Sequence, residues 1–150
     1  MYKKIKIKKV KIKMNFFVPM KKIPRTTHQQ KQVHVVRGKP IFYESQNLKQ
    51  ARQIFMDNLA KFVPEEKMTG KLRLMVKWCF PADGKHSNGT YKDTKPDLDN
   101  SMKLLQDCMT DLGFWEDDRY IVSLIVEKFW ADIPGIYIEI EVVEDESSVG

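Results

Sequence analysis

Apolar and polar residues alternate most regularly between residues 71 and 80, where every second side chain is apolar. Successive side chains of a β-strand point to opposite faces, so this pattern predicts a strand with one buried face. The opposite face carries Arg73 and Lys77. The buried face is predicted to contain Leu72, Leu74, Val76, Trp78 and Phe80. This is the clearest strand in the chain.

Two other segments have the period of a helix. In the first, apolar residues recur three and four positions apart from Leu48 onward, with Ser45 as the N-cap and Pro64 ending the helix. The second helix is predicted from Asp99 to Leu112, and Gly113 supplies its C-terminal stop. The apolar positions of both helices are predicted to face the core.

Shorter apolar patterns predict the remaining strands. One strand is expected at residues 15–18, and residues 33–43 are expected to form a hairpin. Strongly β-prone residues follow at 120–130, and apolar and polar residues alternate again at 136–142. The order ββ(β)–α–β–α–β–β predicts a single α+β domain, with a mixed β-sheet and two main helices packed on it.

The composition fits one globular domain. The chain has 150 residues, of which 42% are apolar and 31% are charged. No apolar run approaches the roughly 20 residues that span a bilayer, and no apolar segment of the signal-peptide kind follows the basic N-terminus. Two cysteines, Cys79 and Cys108, make no disulfide framework and no C-x-x-C metal spacing. We expect a cytoplasmic protein with reduced, buried thiols.

The ends of the chain differ from its middle. Residues 1–14 are a basic N-terminal segment, with seven lysines among the first 13 residues. Their alternation with Ile and Val is typical of a lysine-guarded edge strand, and their charge is equally typical of an arm that reaches toward nucleic acid. A third interpretation is that Met14 is the native start. We assign residues 15–143 to the folded domain and residues 144–150 to an acidic, disordered tail.

The net charge of +6 conceals a strong division along the chain. Residues 1–96 carry 23 positive and 6 negative side chains, whereas residues 97–150 carry 3 positive and 14 negative ones. A basic surface gains affinity for a polyanion by counterion release, and grouped carboxylates hold metal ions. A nuclease needs both features.

The candidate chemistry lies in residues 95–103, Lys-Pro-Asp-Leu-Asp-Asn-Ser-Met-Lys, and in residues 116–118, Glu-Asp-Asp. Asp97 and Asp99 stand at the predicted mouth of the second helix, with Lys103 one turn inside it. Each residue alone has a structural explanation, because Asp is a strong N-cap and Asp99 has the spacing of a helical ion pair with Lys103. A single cap would not need two alternating aspartates. The motif therefore favours a small, open carboxylate site for a divalent cation.

Cations in two irregular segments are candidates for contacting DNA. Residues 19–25 are loop-like, and residues 81–96 form a long polar loop just before the carboxylates, where we expect a lysine-bearing flap over the phosphate path. The alternative is that these cations lie on an ordinary surface that faces solvent and contacts no DNA. The candidate DNA-binding residues are Lys21, Lys22, Arg25, Lys85, Lys92 and Lys95.

The motif over residues 95–103, followed by Gly-Phe-Trp-Glu-Asp-Asp at 113–118 and a Val/Ile-rich strand with Lys128, closely resembles the RusA Holliday junction resolvases. The resemblance is strongest over residues 95–130 and extends over about 15–143. It implies a RusA-like fold and a metal-dependent, homodimeric endodeoxyribonuclease of phage origin, which cuts four-way DNA junctions symmetrically in recombination and repair.

Carried over position by position, the resemblance implies that Asp97, Asp99 and Asp118 bind the metal and that Lys103 is catalytic. Asn100 and Asp117 occupy supporting positions. The expected cofactor is Mg²⁺, with Mn²⁺ as a substitute, and the expected partners are branched DNA and a second copy of the chain, with no membrane.

The topology needed for this site is restrictive. A helix of fourteen residues is about 21 Å long. Asp118 therefore approaches Asp97 and Asp99 only if the following strand runs antiparallel to the helix and the acidic step at 116–118 bends inward. Two other functions fit parts of the sequence: a non-catalytic, basic nucleic-acid-binding module, and a Mg²⁺ enzyme acting on a small phosphorylated substrate. The strongly basic first part of the chain argues against the small substrate.

Overall fold

A computed structural model describes residues 12–25 and 31–145 of the chain. Most of the predicted basic arm and of the acidic tail lies outside these residues. The strands are β1 (Lys13–Pro19), β2 (Lys31–Val36), β3 (Lys39–Glu44), β4 (Leu72–Pro81), β5 (Ile121–Ala131) and β6 (Gly135–Val142). The helices are α1 (Gln46–Leu59) and α2 (Leu98–Leu112).

Four of the strands form the central sheet, in the order β1-β6-β4-β5. β1 and β4 each pair antiparallel with β6, whereas β4 and β5 are parallel. β2 and β3 form a separate antiparallel hairpin, as predicted. The prediction of one α+β domain with a mixed sheet and two main helices is confirmed.

The core lies between the inner face of the sheet and the two helices. The five residues predicted for the buried face of β4 are each at most 2% exposed. α1 contributes Leu48 and Phe55, and the Phe55 ring lies edge-on to Trp78 with 6.1 Å between ring centres. Ser45 caps α1 as predicted, because its Oγ accepts a hydrogen bond from the amide of Leu48 at 3.1 Å.

Three predicted boundaries shift by a few residues. α1 ends at Leu59 and continues as a 3₁₀ turn, Ala60–Phe62, before Pro64. α2 begins one residue early, at Leu98, and a 3₁₀ turn precedes β5. These short turns depend on local hydrogen bonds that the hydrophobic pattern does not reveal.

The β4–α2–β5 unit positions the candidate residues. Because α2 joins two parallel neighbouring strands, it must run antiparallel to both of them. The antiparallel direction that the sequence required is therefore present, but it does not by itself bring Asp118 to the start of α2. Its consequence is that the start of α2 lies beside the end of β5, while the end of α2 lies beside the start of β5.

Candidate active site

The carboxylates of Asp97 and Asp99 are exposed at the start of α2. Asp97 occupies the N-cap position with extended backbone angles, yet its side chain makes no capping hydrogen bond. No ion pair joins Asp99 to Lys103 within the part of the chain that the structure describes. The side-chain cap and the ion pair are thus not formed, although Asp99 stands in the first turn of α2, where its charge complements the helix dipole. Both carboxylates are exposed to solvent.

The chain just before Asp97 is held by Lys128, near the end of β5. The Lys128 ammonium donates hydrogen bonds to the carbonyl oxygens of Thr94 at 2.7 Å and Pro96 at 2.9 Å. Charge-assisted hydrogen bonds of this kind are stronger than neutral ones. Lys128 therefore fixes the backbone from which Asp97 and Asp99 project.

Asp118 is half-buried beside the last turns of α2. Its Oδ1 accepts hydrogen bonds from the Thr110 hydroxyl and, at 3.0 Å, from the indole nitrogen of Trp115. The same indole nitrogen lies 2.7 Å from the Thr110 oxygen. Two donors from the end of α2 and the following turn thus fix the orientation of the Asp118 carboxylate.

The other acidic residues of the 116–118 step have local roles. Glu116 pairs with Lys67 at 2.7 Å, and this hydrogen bond lowers the pKa of Glu116 from its ordinary value. Asp117 caps the 3₁₀ turn by accepting a hydrogen bond from the Arg119 amide at 2.9 Å. Asn100 lies half-buried in the first turn of α2.

A cavity of about 500 Å³ runs between α2 and the face of β5, and we call it the α2–β5 cavity. Asp99 and Lys103 line it, and so does Asp118, but Asp97 does not. Thr110, which contacts Asp118, follows Asp99 by eleven residues, or about 16 Å along the helix axis. In this arrangement the Asp118 carboxylate lies at the other end of the cavity from Asp99.

Sequence reasoning missed two further residues on this wall, Gln106 and Asp107. Asp107 follows Asp99 and Lys103 at successive four-residue intervals, which place all three side chains on one face of α2. That spacing was available as a signal. The positioning roles of Thr110 and Trp115 had no such signal, because they depend on the turn that brings Asp118 back to the helix.

Carboxylate oxygens are suitable ligands for a hard divalent cation. The three candidate carboxylates, however, do not lie together at one point. Among the described residues, no three His, Cys, Asp or Glu side chains form a group that could hold a metal ion. Mg²⁺, however, usually takes one or two carboxylates and fills its remaining positions with water and substrate phosphate. Asp97 and Asp99 are two exposed carboxylates, which matches that number. Metal binding by Asp97, Asp99 and Asp118 stays a prediction.

The predicted DNA-binding cations separate into an exposed group and one buried residue. Lys21, Lys22 and Arg25 are exposed around a second cavity, and Lys85 and Lys95 are exposed on the 81–96 loop.

Lys92 departs from the expectation, because its side chain is only 3% exposed. Its ammonium lies over the Trp130 ring, 4.6 Å from the ring centre, and donates hydrogen bonds to Thr94 Oγ1 and, at 2.5 Å, to the Lys95 carbonyl. Burial lowers the pKa of Lys92 from its ordinary value, and the nearby charges of Arg25 and Lys128 add to this effect. Lys92 is placed to anchor the loop.

The 81–96 loop is tied to the sheet over much of its length. Gly89 donates a backbone hydrogen bond to Trp130, Trp130 donates one to Thr90, and Lys92 donates one to Lys128, at 2.8–3.0 Å. The expected flap is thus secured along the end of β5, and its position relative to the start of α2 is defined.

An α+β domain that presents open carboxylates and a lysine beside a basic surface has the features of a nuclease. Comparison with known proteins identifies the family. The model of the family described as "Endodeoxyribonuclease RusA" matches residues 21–141. The chain belongs to this family, as its motif predicted, and is an endonuclease that acts on DNA.

Two relatives illustrate the similarity. The chain is 36% identical over 131 residues to the "Crossover junction endodeoxyribonuclease rusA" of Lactococcus phage r1t, covering 86% of this chain and 98% of the relative. It is also 32% identical over 91 residues to the "Uncharacterized protein YqaN" of Bacillus subtilis strain 168, covering 53% of this chain and 63% of that protein. Finally, no helix among the described residues is long and apolar enough to cross a membrane.

Proposed function

We propose that this protein is a Mg²⁺-dependent endonuclease that resolves four-way DNA junctions by paired, symmetric nicks. The observation that carries the proposal is the pair of exposed carboxylates, Asp97 and Asp99. The Asp97 side chain makes no capping hydrogen bond to α2, and Asp99 makes no ion pair with Lys103 among the described residues. The phage relative, whose name describes a crossover junction endodeoxyribonuclease, supports branched DNA as the substrate. The expected compartment is the cytoplasm, and the expected role is in DNA recombination and repair.

Asp97 and Asp99 would hold the cation, with Mn²⁺ as an expected substitute for Mg²⁺. When bound, such an ion lowers the pKa of a water nucleophile and neutralises charge on the phosphoryl oxygens. Two carboxylates would supply only part of the ligand set, which would leave room for the DNA phosphate. The carboxylates project from a backbone that Lys128 already fixes, so they need little rearrangement when the substrate arrives.

Lys103 is the proposed electrostatic catalyst. Its exposed side chain follows Asp99 by one helical turn and lines the α2–β5 cavity. From there the ammonium would donate a hydrogen bond to the phosphoryl group and stabilise negative charge that develops in the transition state. Asp118, oriented by Thr110 and Trp115 on the same cavity, is the third acidic residue proposed for catalysis.

The basic residues supply affinity for the DNA backbone. Lys21, Lys22 and Arg25 lie beside Phe80 and Pro81 at the end of β4, and residues 82–96 lead from that point to Asp97. Lys85 and Lys95 add two exposed cations along this loop. A duplex arm that crosses these residues is held by phosphate contacts, which orient DNA without reading its sequence.

A cutting assay tests the proposal. A labelled four-way junction, a linear duplex and a single strand are incubated with Mg²⁺ or with chelator, using the wild type, Asp99→Asn and the control Asp57→Asn. Asp57 is exposed on α1 and lines neither cavity described here. We expect Mg²⁺-dependent, paired nicks in the junction alone, lost in Asp99→Asn and retained in the control.

Two results of the cutting assay would contradict the proposal. Binding of the junction without cutting, under every metal tried, would leave a basic DNA-binding module. Cutting of linear duplex at the same rate would retain a nuclease and remove its selectivity for branched DNA.

A further inference from the structure

The second cavity, which we call the basic cavity, has a volume of about 580 Å³ and lies between residues 21–25, the first turns of α1 and the end of β4. Lys21, Lys22 and Arg25 line one side, and Asn47 and Gln50 of α1 line another. Every charged residue on its wall, among those the structure describes, is a cation.

The remaining wall of the basic cavity is apolar. Ala51 is 3% exposed, and Ile54 is an exposed large apolar side chain at 41%. The guanidinium carbon of Arg25 lies 5.6 Å from the centre of the Phe80 ring, within the range of a cation–π contact. The ring therefore supports the guanidinium, whose flat face is the kind of surface on which a nucleobase stacks.

We propose that the basic cavity binds one unpaired nucleotide of the branched DNA and thereby sets which junctions, or which position in a junction, the enzyme cuts. The base lies against the apolar wall and the Arg25 guanidinium, the amides of Asn47 and Gln50 meet its hydrogen-bonding edge, and Lys21 and Lys22 meet the flanking phosphates. The inference rests on the proposed action on branched DNA, and it adds a specificity site to it.

Three features favour a nucleotide over backbone phosphate alone. A volume of 580 Å³ is within the 300–1,000 Å³ range, approximately, of small-ligand sites, whereas backbone contacts need only a flat surface. Asn and Gln side chains pair donors and acceptors with base edges in the manner of direct readout. An apolar wall contributes nothing to phosphate binding, but it stabilises a base that has left its stack.

Branched DNA is a suitable source of such a nucleotide. Extruding a base from a continuous duplex costs a few kcal/mol, and the cost is least where pairing is already interrupted. Where the arms of a junction are unstacked, the base pairs at the branch point lack a stacking neighbour on one side and open at a lower cost. A cavity that accepts one nucleotide therefore favours a branch over linear duplex without contacting the rest of the sequence.

The basic cavity is connected to the proposed catalytic residues by a short series of contacts. Arg25 and Lys92 both lie over the Phe80 ring, with the Lys92 ammonium 5.3 Å from the ring centre. Lys92 in turn holds Thr94 and Lys95, two residues before Asp97. A nucleotide in the basic cavity is thereby placed at a fixed offset from the Asp97 and Asp99 carboxylates.

The test uses Asn47→Ala/Gln50→Ala, because both side chains are exposed on α1 and alanine favours a helix. The matched control is Gln53→Ala, an exposed amide on α1 that hydrogen-bonds Asp57 and does not line the cavity. Binding is measured with chelator present, on a fluorescent single-stranded hexanucleotide, a four-way junction and a linear duplex. A deoxynucleoside monophosphate is added as competitor.

A second measurement locates the base directly. The probes are a hexanucleotide and a junction that carry 5-iododeoxyuridine, placed at the branch point in the junction. Light crosslinks them to the wild-type protein, and mass spectrometry maps the modified peptides. Junction cutting by the wild type is assayed in parallel, so that the catalytic proposal is judged separately.

We expect the double variant to bind the hexanucleotide and the junction about tenfold more weakly than the wild type and Gln53→Ala do, because it has lost contacts to the base edge. Binding to linear duplex should be unchanged. The crosslink is expected within residues 21–25 or 47–54. Such a crosslink supports the site even if the junction is not cut, which would count against the proposed function alone.

Other outcomes overturn the site. Equal binding by the double variant and Gln53→Ala, or a crosslink that maps elsewhere, would reduce the basic cavity to a patch of phosphate contacts. Competition by the free mononucleotide at the same concentration as the hexanucleotide would identify a small-molecule site and exclude the DNA role.

Discussion

The indole nitrogen of Trp115 lies 3.0 Å from Oδ1 of Asp118, and it donates a hydrogen bond that holds this carboxylate beside the end of α2. Trp115 is fully buried, so it joins the core directly to an acidic residue of the α2–β5 cavity. The Gly-Phe-Trp segment at 113–115 therefore does more than end a helix. Gly113, with φ 95°, ends α2 in the left-handed region, and the two aromatic residues after it turn the chain back into the core.

Trp115→Phe is expected to slow junction cutting about tenfold while leaving junction binding unchanged. The substitution keeps an aromatic ring in the core but removes one hydrogen bond to Asp118, a loss of roughly 1–1.5 kcal/mol. Single-turnover cutting and equilibrium binding give the two numbers. A matching substitution, Trp78→Phe, removes a buried indole whose nitrogen has no partner among the described residues. Equal losses of cutting in both variants would indicate a general effect of core packing.

The sequence predicted the strands and helices better than the arrangement of the candidate site residues. The alternation in β4 and the helical period of α2 depend on burial, which the order of residues records directly. The distance from Asp99 to Asp118 depends instead on the direction of α2 between two parallel strands and on the 3₁₀ turn Asp118–Tyr120. The local pattern reveals neither feature. The three carboxylates were expected together, whereas Asp99 and Asp118 line opposite ends of the α2–β5 cavity and Asp97 does not line it.

Lys92 shows a second limit of prediction. In sequence it is one more cation in a polar loop, indistinguishable from Lys85 or Lys95. Its burial follows from Phe80 and Trp130, two aromatic residues on different strands that meet only after the sheet has formed.

Lys103→Met is expected to reduce cutting about a hundredfold, in the range measured when one donor to a developing oxyanion is removed. Junction binding should fall by much less, because only one of many cations is lost. Lys103→Arg retains the charge and should recover part of the rate. A variant that binds tenfold more weakly and cuts normally at saturation would assign Lys103 to DNA binding.

The cations at the basic cavity should contribute to the salt dependence of binding. Each phosphate contact contributes a slope of about −0.9 in a plot of log K against log salt concentration, so Lys21→Ala/Lys22→Ala should make the slope shallower by about two. The control is Lys67→Ala/Lys71→Ala, which removes the same charge from residues paired with Glu116 and Asp145. An identical change in slope for both variants would show that net charge alone sets the affinity.

We expect a dimer in sedimentation measurements over a range of protein concentrations. Paired, symmetric nicks require two active sites related by a two-fold axis. Mixing the wild type with an excess of Asp99→Asn should then give junctions nicked on one strand only. A monomer mass under cutting conditions, together with paired nicks from that mixture, would contradict the dimer.

Lys92→Ala should destabilise the fold by about 1–3 kcal/mol, since it leaves a space between the Phe80 and Trp130 rings and removes the donor to the Lys95 carbonyl. Lys85→Ala, on the exposed part of the same loop, should change stability by less than about 0.5 kcal/mol. Urea unfolding followed by tryptophan fluorescence measures both. The anchored loop leads to Asp97. Lys92→Ala should therefore also cut junctions more slowly, under conditions in which the variant is fully folded. Lys85→Ala should instead weaken binding and leave the saturated rate unchanged. If both variants lose affinity and neither loses stability, Lys92 contacts DNA from an exposed position and the anchoring role is wrong.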